Sequence, residues 1–177
     1  DMLLLTDYTG ESMPNIAALM EDYGLSAVDG IIVEGDPNYC IKDYAYYLLP
    51  DINLHDITSP LMGKGYYVLM PVAQGITVGK DQPEGRSIFP LLSTSDKSFS
   101  KVAGYNMSTY EKEEGDIDGP FYTSAAVSDK SAGGETRIVW FGSSSLLESQ
   151  INEKVAGGNY DMVLNSLAWV CDRQDSI

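Results

Sequence analysis

The sequence predicts a three-layer α/β sandwich with a mostly parallel central sheet, and three observations predict it. The chain opens as strand, helix, strand. It closes as strand, turn, helix. Its late strand, Ile138-Val139-Trp140-Phe141, is apolar at every position rather than at alternate ones, the pattern of a strand covered on both faces. With 177 residues and no internal repeat, the chain is read as a single α/β domain over residues 1–177.

Met2–Thr6 is a short apolar run, read as the first strand and followed by the turn-like DYTGES. From Pro14 to Tyr23, Ile16, Leu19, Met20 and Tyr23 recur at helical spacing and form one apolar stripe. Pro14 suits the first turn and Gly24 the left-handed position past the end. Ile31–Val33 is the second strand. Tyr44–Leu49 reads as a strand or as an aromatic surface segment. His55–Leu61 (HDITSPL) reads as a turn into a short helix blocked at Pro60. Tyr67–Met70, Ile76–Val78 and Ile88–Leu92 are strand candidates, with GKDQPEGRS a polar loop. Residues 95–119, including EKEEGDIDG, read as an exposed acidic excursion. Phe121–Val127 and Arg137–Phe141 are strands joined by the hairpin-like SDKSAGGET. The closing helix begins near Asn159, its expected N-cap, and presents Tyr160, Val163, Leu164, Leu167 and Cys171 on one face, expected to pack inward.

Hydrophobic residues make up 44% and charged residues 21%, the balance of a folded domain. Twenty-six acidic against 11 basic side chains give a net charge of −15. Such a surface repels phosphate backbones and anionic headgroups, which argues against nucleic acid and electrostatic membrane docking. No apolar run approaches the roughly 20 residues needed to cross a bilayer. Asp1 leads straight into a core strand with no leader, so the chain is read as a fragment cut from a longer protein, with any targeting or membrane segment outside it. Cys40 and Cys171 lie far apart without a C-x-x-C. They are read as unpaired, partly buried thiols, with a disulfide in an oxidising compartment as the alternative.

Gly142-Ser143-Ser144-Ser145 at the end of the late strand is the natural place for a nucleophile. The elbow motif needs a second glycine, where Leu146 stands. The only histidine is His55, whose neighbour Asp56 diverges from it. Cys40 has Lys42 nearby to lower its pKa but Asp36 and Asp43 against it. Glu114, Asp116, Asp118 and Gly119 match part of a calcium loop, but Ala125 occupies the position of the bidentate glutamate, so a solvated acidic loop is expected. No dinucleotide or phosphate loop is present, and Asn106-Met107-Ser108 is a bare sequon match. These readings give no catalytic residues, no metal and no cofactor. Tyrosines cluster at Tyr39, Tyr44, Tyr46 and Tyr47 and again at Tyr66 and Tyr67, material for a sugar or protein contact or for ordinary strands.

Four segments, in order, carry a family resemblance: MPNIAALMEDYGLSAVDGIIVEGD, HDITSPL, PLLSTSDKSF, and RIVWFGSSSLL with GNYDMVLNSLAWV. Together they resemble the extracytoplasmic domain of the bacterial gliding-motility-associated ABC-transporter auxiliary component family. The resemblance implies a fold like class I glutamine amidotransferases, related to flavodoxin-like sandwiches, without their catalytic residues. It also implies an ABC permease and ATPase as partners, membrane-spanning helices beyond Ile177 and an extracytoplasmic location. Ser143 stands where the family often has an acidic residue. The expected function is a non-catalytic binding or scaffolding domain of an ABC-type transport system. Any ligand is expected at the carboxyl ends of the central strands, at Asp7 and Tyr8 and at Ser143 and Ser144. The alternatives are a carbohydrate-binding module built on the tyrosines and a serine hydrolase using Ser143.

Overall fold

The computed structural model describes residues 1–80, 82–131 and 133–172. In chain order it contains β1 (Met2–Leu5), α1 (Pro14–Asp22), β2 (Leu25–Ala27), β3 (Ile31–Val33), β4 (Cys40–Ile41), β5 (Tyr44–Leu48) and β6 (Asp51–Ile52). There follow α2 (Ser59–Lys64), β7 (Met70–Pro71), β8 (Ile76–Val78), β9 (Arg86–Ser93), β10 (Phe99–Lys101), β11 (Ile117–Asp118), β12 (Tyr122–Ser131) and β13 (Gly134–Phe141). Helices α3 (Ser149–Lys154) and α4 (Gly158–Val170) close it.

This architecture corrects the expected sandwich with a mostly parallel sheet. Among the described residues the fold is mostly β, with one mixed sheet, two small antiparallel sheets and few helices. In the seven-stranded sheet β13 lies between β1 and β12, and β12 runs on to β8 and β2 and also pairs with β9, which carries β6. The β1–β13 pair is the only parallel one among the described residues. Local pattern misled at both ends. The opening β-α-β does not close into a parallel unit, because after α1 the chain pairs β2 antiparallel to β8 and sends β3 into a separate sheet with β10. Most of SDKSAGGET is strand, the closing end of a long antiparallel hairpin paired from Ser124↔Phe141 through Ser131↔Gly134. The run IVWF is buried on both faces as expected, but its partner on one side is that hairpin.

Alternation along β13 divides the core. Val139 and Phe141 join Leu3, Leu5, Met162 and Trp169 on the face that α4 covers. Ile138 and Trp140 join Met20, Leu25, Ile76 and Val127 on the face that α1 covers. Leu3 and Leu5 are partly buried, and each fully buried aliphatic or Phe side chain among the rest contributes about 1.5–3 kcal/mol.

Several elements differ in detail from expectation. Pro60 sits in the first turn of α2 and starts the helix rather than blocking it. Of Tyr67–Met70 only Met70 is strand. The excursion of residues 95–119 contains a buried strand, β10, whose Lys101 is fully enclosed. Asp81 of the polar loop and Ala132 of the hairpin turn lie outside the described residues. The closing helix is turned away from the expected face, of which Val163 alone packs on the core. Tyr160, Leu164, Leu167 and Cys171 are exposed, while Asn159, Met162, Ser166 and Trp169 are buried. Two of those buried positions are polar, which hides the true face from a hydrophobic count. Asn159 is not an N-cap: its amide bonds Leu69 N–H and the Leu69 and Leu146 carbonyls, and Ser166 donates to Met162 O.

Candidate binding cleft

Where β1 and β13 end side by side, backbone and side-chain bonds lock the crossing. Thr6 N–H donates to Phe141 O at 3.0 Å, and the Trp140 indole N–H donates to Thr6 Oγ1 at 2.9 Å. A Cβ on Gly142 would stand 2.2 Å from Gln74 O, so only glycine permits this approach. The next three groups are used in the same way. Ser143, fully buried, donates its hydroxyl to Pro71 O at 2.6 Å. Ser144 gives Asp7 two bonds, N–H to Oδ1 at 2.7 Å and Oγ–H to Oδ2 at 2.5 Å. The serines therefore tie loops together rather than cap the following helical turn.

Tyr8, one residue on, leaves this lock and lines a cleft of about 470 Å³ between the end of β1, α1 and the β2–β3 turn. Trp140 contributes to its wall, and Glu11, Glu21 and Asp29 bring three carboxylates. No lysine, arginine or histidine lines it among the described residues. The Tyr8 ring is held from behind by Gly104, whose φ of +55° and closeness (2.2 Å from an added Cβ to the ring) leave no room for a larger residue, and by the Tyr105 ring at 5.8 Å. Gln74 donates to Val28 O at 3.0 Å and fixes the adjoining loop.

Of the four residues expected from sequence, the fold brings Asp7 and Ser144 into contact, opens Tyr8 to a cleft and encloses Ser143. Sequence reading missed Trp140, Glu11, Glu21 and Asp29. Glu11 follows the first strand in DYTGES, where the strand-end rule could have found it. Glu21 and Asp29 arrive from α1 and a turn, and no sequence signal joins them.

The other candidates lie apart. His55 packs between Phe89 (ring centroids 4.9 Å) and Trp169 (5.3 Å), with Nδ1 accepting from Ile57 N–H, and burial holds its pKa below the ordinary 6.5 against the pull of Asp56. The cavity that His55 lines does not include Ser143. In the acidic loop Asp116 accepts from Glu113 N–H and Val102 N–H and pairs with Lys101 at 3.0 Å. No group of three or more His, Cys, Asp or Glu is placed to hold a metal among the described residues. Burial, then Glu34 and Asp36, push the Cys40 thiol up, and Cys171 is exposed rather than on the inner helix face. Neither cysteine is in a disulfide. No described helix is long and apolar enough to cross a membrane.

No family model matches the chain, and no curated protein matches its sequence. Its fold is similar to that of the solved mmIFT52 N-terminal domain, with a TM-score of 0.61 over 95% of this chain and 16% identity. The chain spans 63% of the length of that structure. Identity at this level shows likeness of fold alone. These findings correct the family resemblance read from the sequence. The gliding-motility auxiliary family finds no support in them, and a mostly antiparallel sheet is not that of a glutamine amidotransferase.

Proposed function

We propose that this chain is a non-catalytic binding domain that works as a scaffold, receiving a cationic segment of a partner protein in the cleft beside β1. One observation carries the reading: three carboxylates and two aromatic residues, Tyr8 and Trp140, line one cleft without a single cationic side chain among the described residues. A lysine or arginine entering it meets opposite charge and the Tyr8 ring, both of which favour a cation, with the buried Trp140 behind the wall. The net charge of −15 extends the same preference to long range and speeds encounter with a basic partner. The hydroxyls at the strand ends are committed to Asp7 and Pro71 O, which fits a binding role better than hydrolysis.

The ABC-transport partners and extracytoplasmic location expected from sequence rested on the family resemblance, and they add nothing to this reading. Calorimetric titration with a short lysine- and arginine-bearing peptide and with its glutamate counterpart tests it. The basic peptide binds, more weakly as salt is added, and the acidic one does not. Equal behaviour of the two would refute it. For the hydrolase alternative, ester hydrolysis at the same background rate in the wild type and in Ser143→Ala is the outcome expected here.

A further inference from the structure

The fold regroups the tyrosines. Tyr44, Tyr46 and Tyr47 pack on one another and on Tyr110 of the acidic loop, with ring centroids 5.2 to 6.2 Å apart. Their rings are engaged with each other. Tyr39 separates from this cluster and joins Tyr66 and Tyr67 around a groove of about 510 Å³. Tyr67 is 64% exposed and so offers its ring to solvent. At the edge the Tyr39 hydroxyl donates to Asp51 Oδ2 at 2.8 Å, which fixes the carboxylate, and Oδ1 has no partner among the described residues. Asn38, also in the lining, is fixed through its Nδ2–H to Asp36 Oδ1 at 2.9 Å. Leu49, Pro50 and Ile52 supply the apolar part of the lining.

We propose that this groove binds a neutral saccharide, with Tyr67 as the stacking platform and Asp51 as the acceptor of sugar hydroxyls. A sugar ring presents a C–H face and a rim of hydroxyl groups. It needs an open aromatic ring beside oriented acceptors, and the lining of this one groove supplies both. Its lining contains no lysine, arginine or histidine among the described residues, so nothing there selects an anionic sugar. Three fixed polar groups in a short groove also suit a saccharide better than an extended proline-rich peptide, which needs a longer row of aromatic ridges. The site is separate from the acidic cleft, and either can fail without the other.

The test titrates the whole chain with cellotriose, maltotriose, N-acetylated chitotriose and mannotriose, observed by NMR and calorimetry. Saturable shifts at Tyr39 and Tyr67 with at least one trisaccharide are expected. Affinity should fall about tenfold in Tyr67→Ala and in Asp51→Asn, and stay unchanged in Tyr44→Ala. Tyr67 and Asp51 are exposed, so both variants fold, which far-UV circular dichroism verifies. Three results overturn the proposal: no response to any of the four at millimolar concentration, binding that survives both substitutions, or saturable binding of a polyproline peptide in the groove with none of the sugars.

Discussion

Asp7 accepts both the backbone N–H and the hydroxyl of Ser144, from 137 residues away in the chain. This pair fastens the loop after the first strand to the loop after the last one, and so sets where Tyr8 leaves for the cleft. Hydrogen bonds to a charged acceptor are the stronger kind. Asp7→Ala therefore lowers stability by about 2–3 kcal/mol, read as a lower urea midpoint at unchanged slope. A midpoint equal to wild type would show that the contact carries nothing.

The closing helix offers a contrast between its two faces. Leu164→Ser and Leu167→Ser lie on the exposed side and change stability by about 0.5 kcal/mol or less. Trp169→Ala empties a buried position and costs about 3–5 kcal/mol. Thermal or urea unfolding of the three variants checks this, and a reversed order would return the helix to the orientation its apolar residues suggest.

His55 is the only histidine, so its ring signals report one group. Burial between Phe89 and Trp169 lowers its pKa, meaning the folded state binds the proton less readily than the unfolded chain. Stability is then complete above about 6.5 and declines as the pH falls from there through the folded-state value. NMR titration should give a midpoint below 6.5 in the folded chain and near 6.5 in urea. A folded midpoint above 6.5 would contradict the packing.

Lys101 is buried at the base of the acidic loop. Burial opposes its charge, but Glu113 and Asp116 outweigh that and raise its pKa above 10.5. Burial likewise opposes charge on Asp116, but its bonds to Glu113 N–H, Lys101 and Val102 N–H outweigh that and hold its carboxyl below 3.8. Asp116 contributes stability that is present above its unfolded value and lost as the pH falls through the folded one. Lys101 contributes stability that is present below 10.5 and lost as the pH rises through its folded value. Lys101→Met should lower stability at neutral pH and flatten both flanks of the pH profile. Unchanged flanks would show that the loop is held by its backbone bonds alone.

The strongest local patterns were legible in the sequence. The helix at Pro14, with Gly24 just past its end at φ +79°, and the buried run IVWF are both as the residues suggest. What was not legible is pairing at long range. Nothing in Leu25–Ala27 announces that it joins Ile76–Val78 instead of the first strand. The closing helix misled because two of its buried residues are polar, Asn159 satisfied by backbone groups of Leu69 and Leu146 and Ser166 by Met162 O one turn back. The site divides the same way. Tyr8 was visible from its place after a strand, whereas Glu21 and Asp29 reach the cleft only through the folded path of the chain.

Whether the cleft beside β1 takes a cation can be read at Trp140, in its wall. Its indole N–H signal can be followed by NMR while argininamide is added to the whole chain. A saturable shift is expected at Trp140 and little at Trp169, weakened by salt and about tenfold weaker in affinity in the double variant Glu21→Gln, Asp29→Asn. A Trp140 signal that does not move, or that moves equally in the double variant, would contradict it.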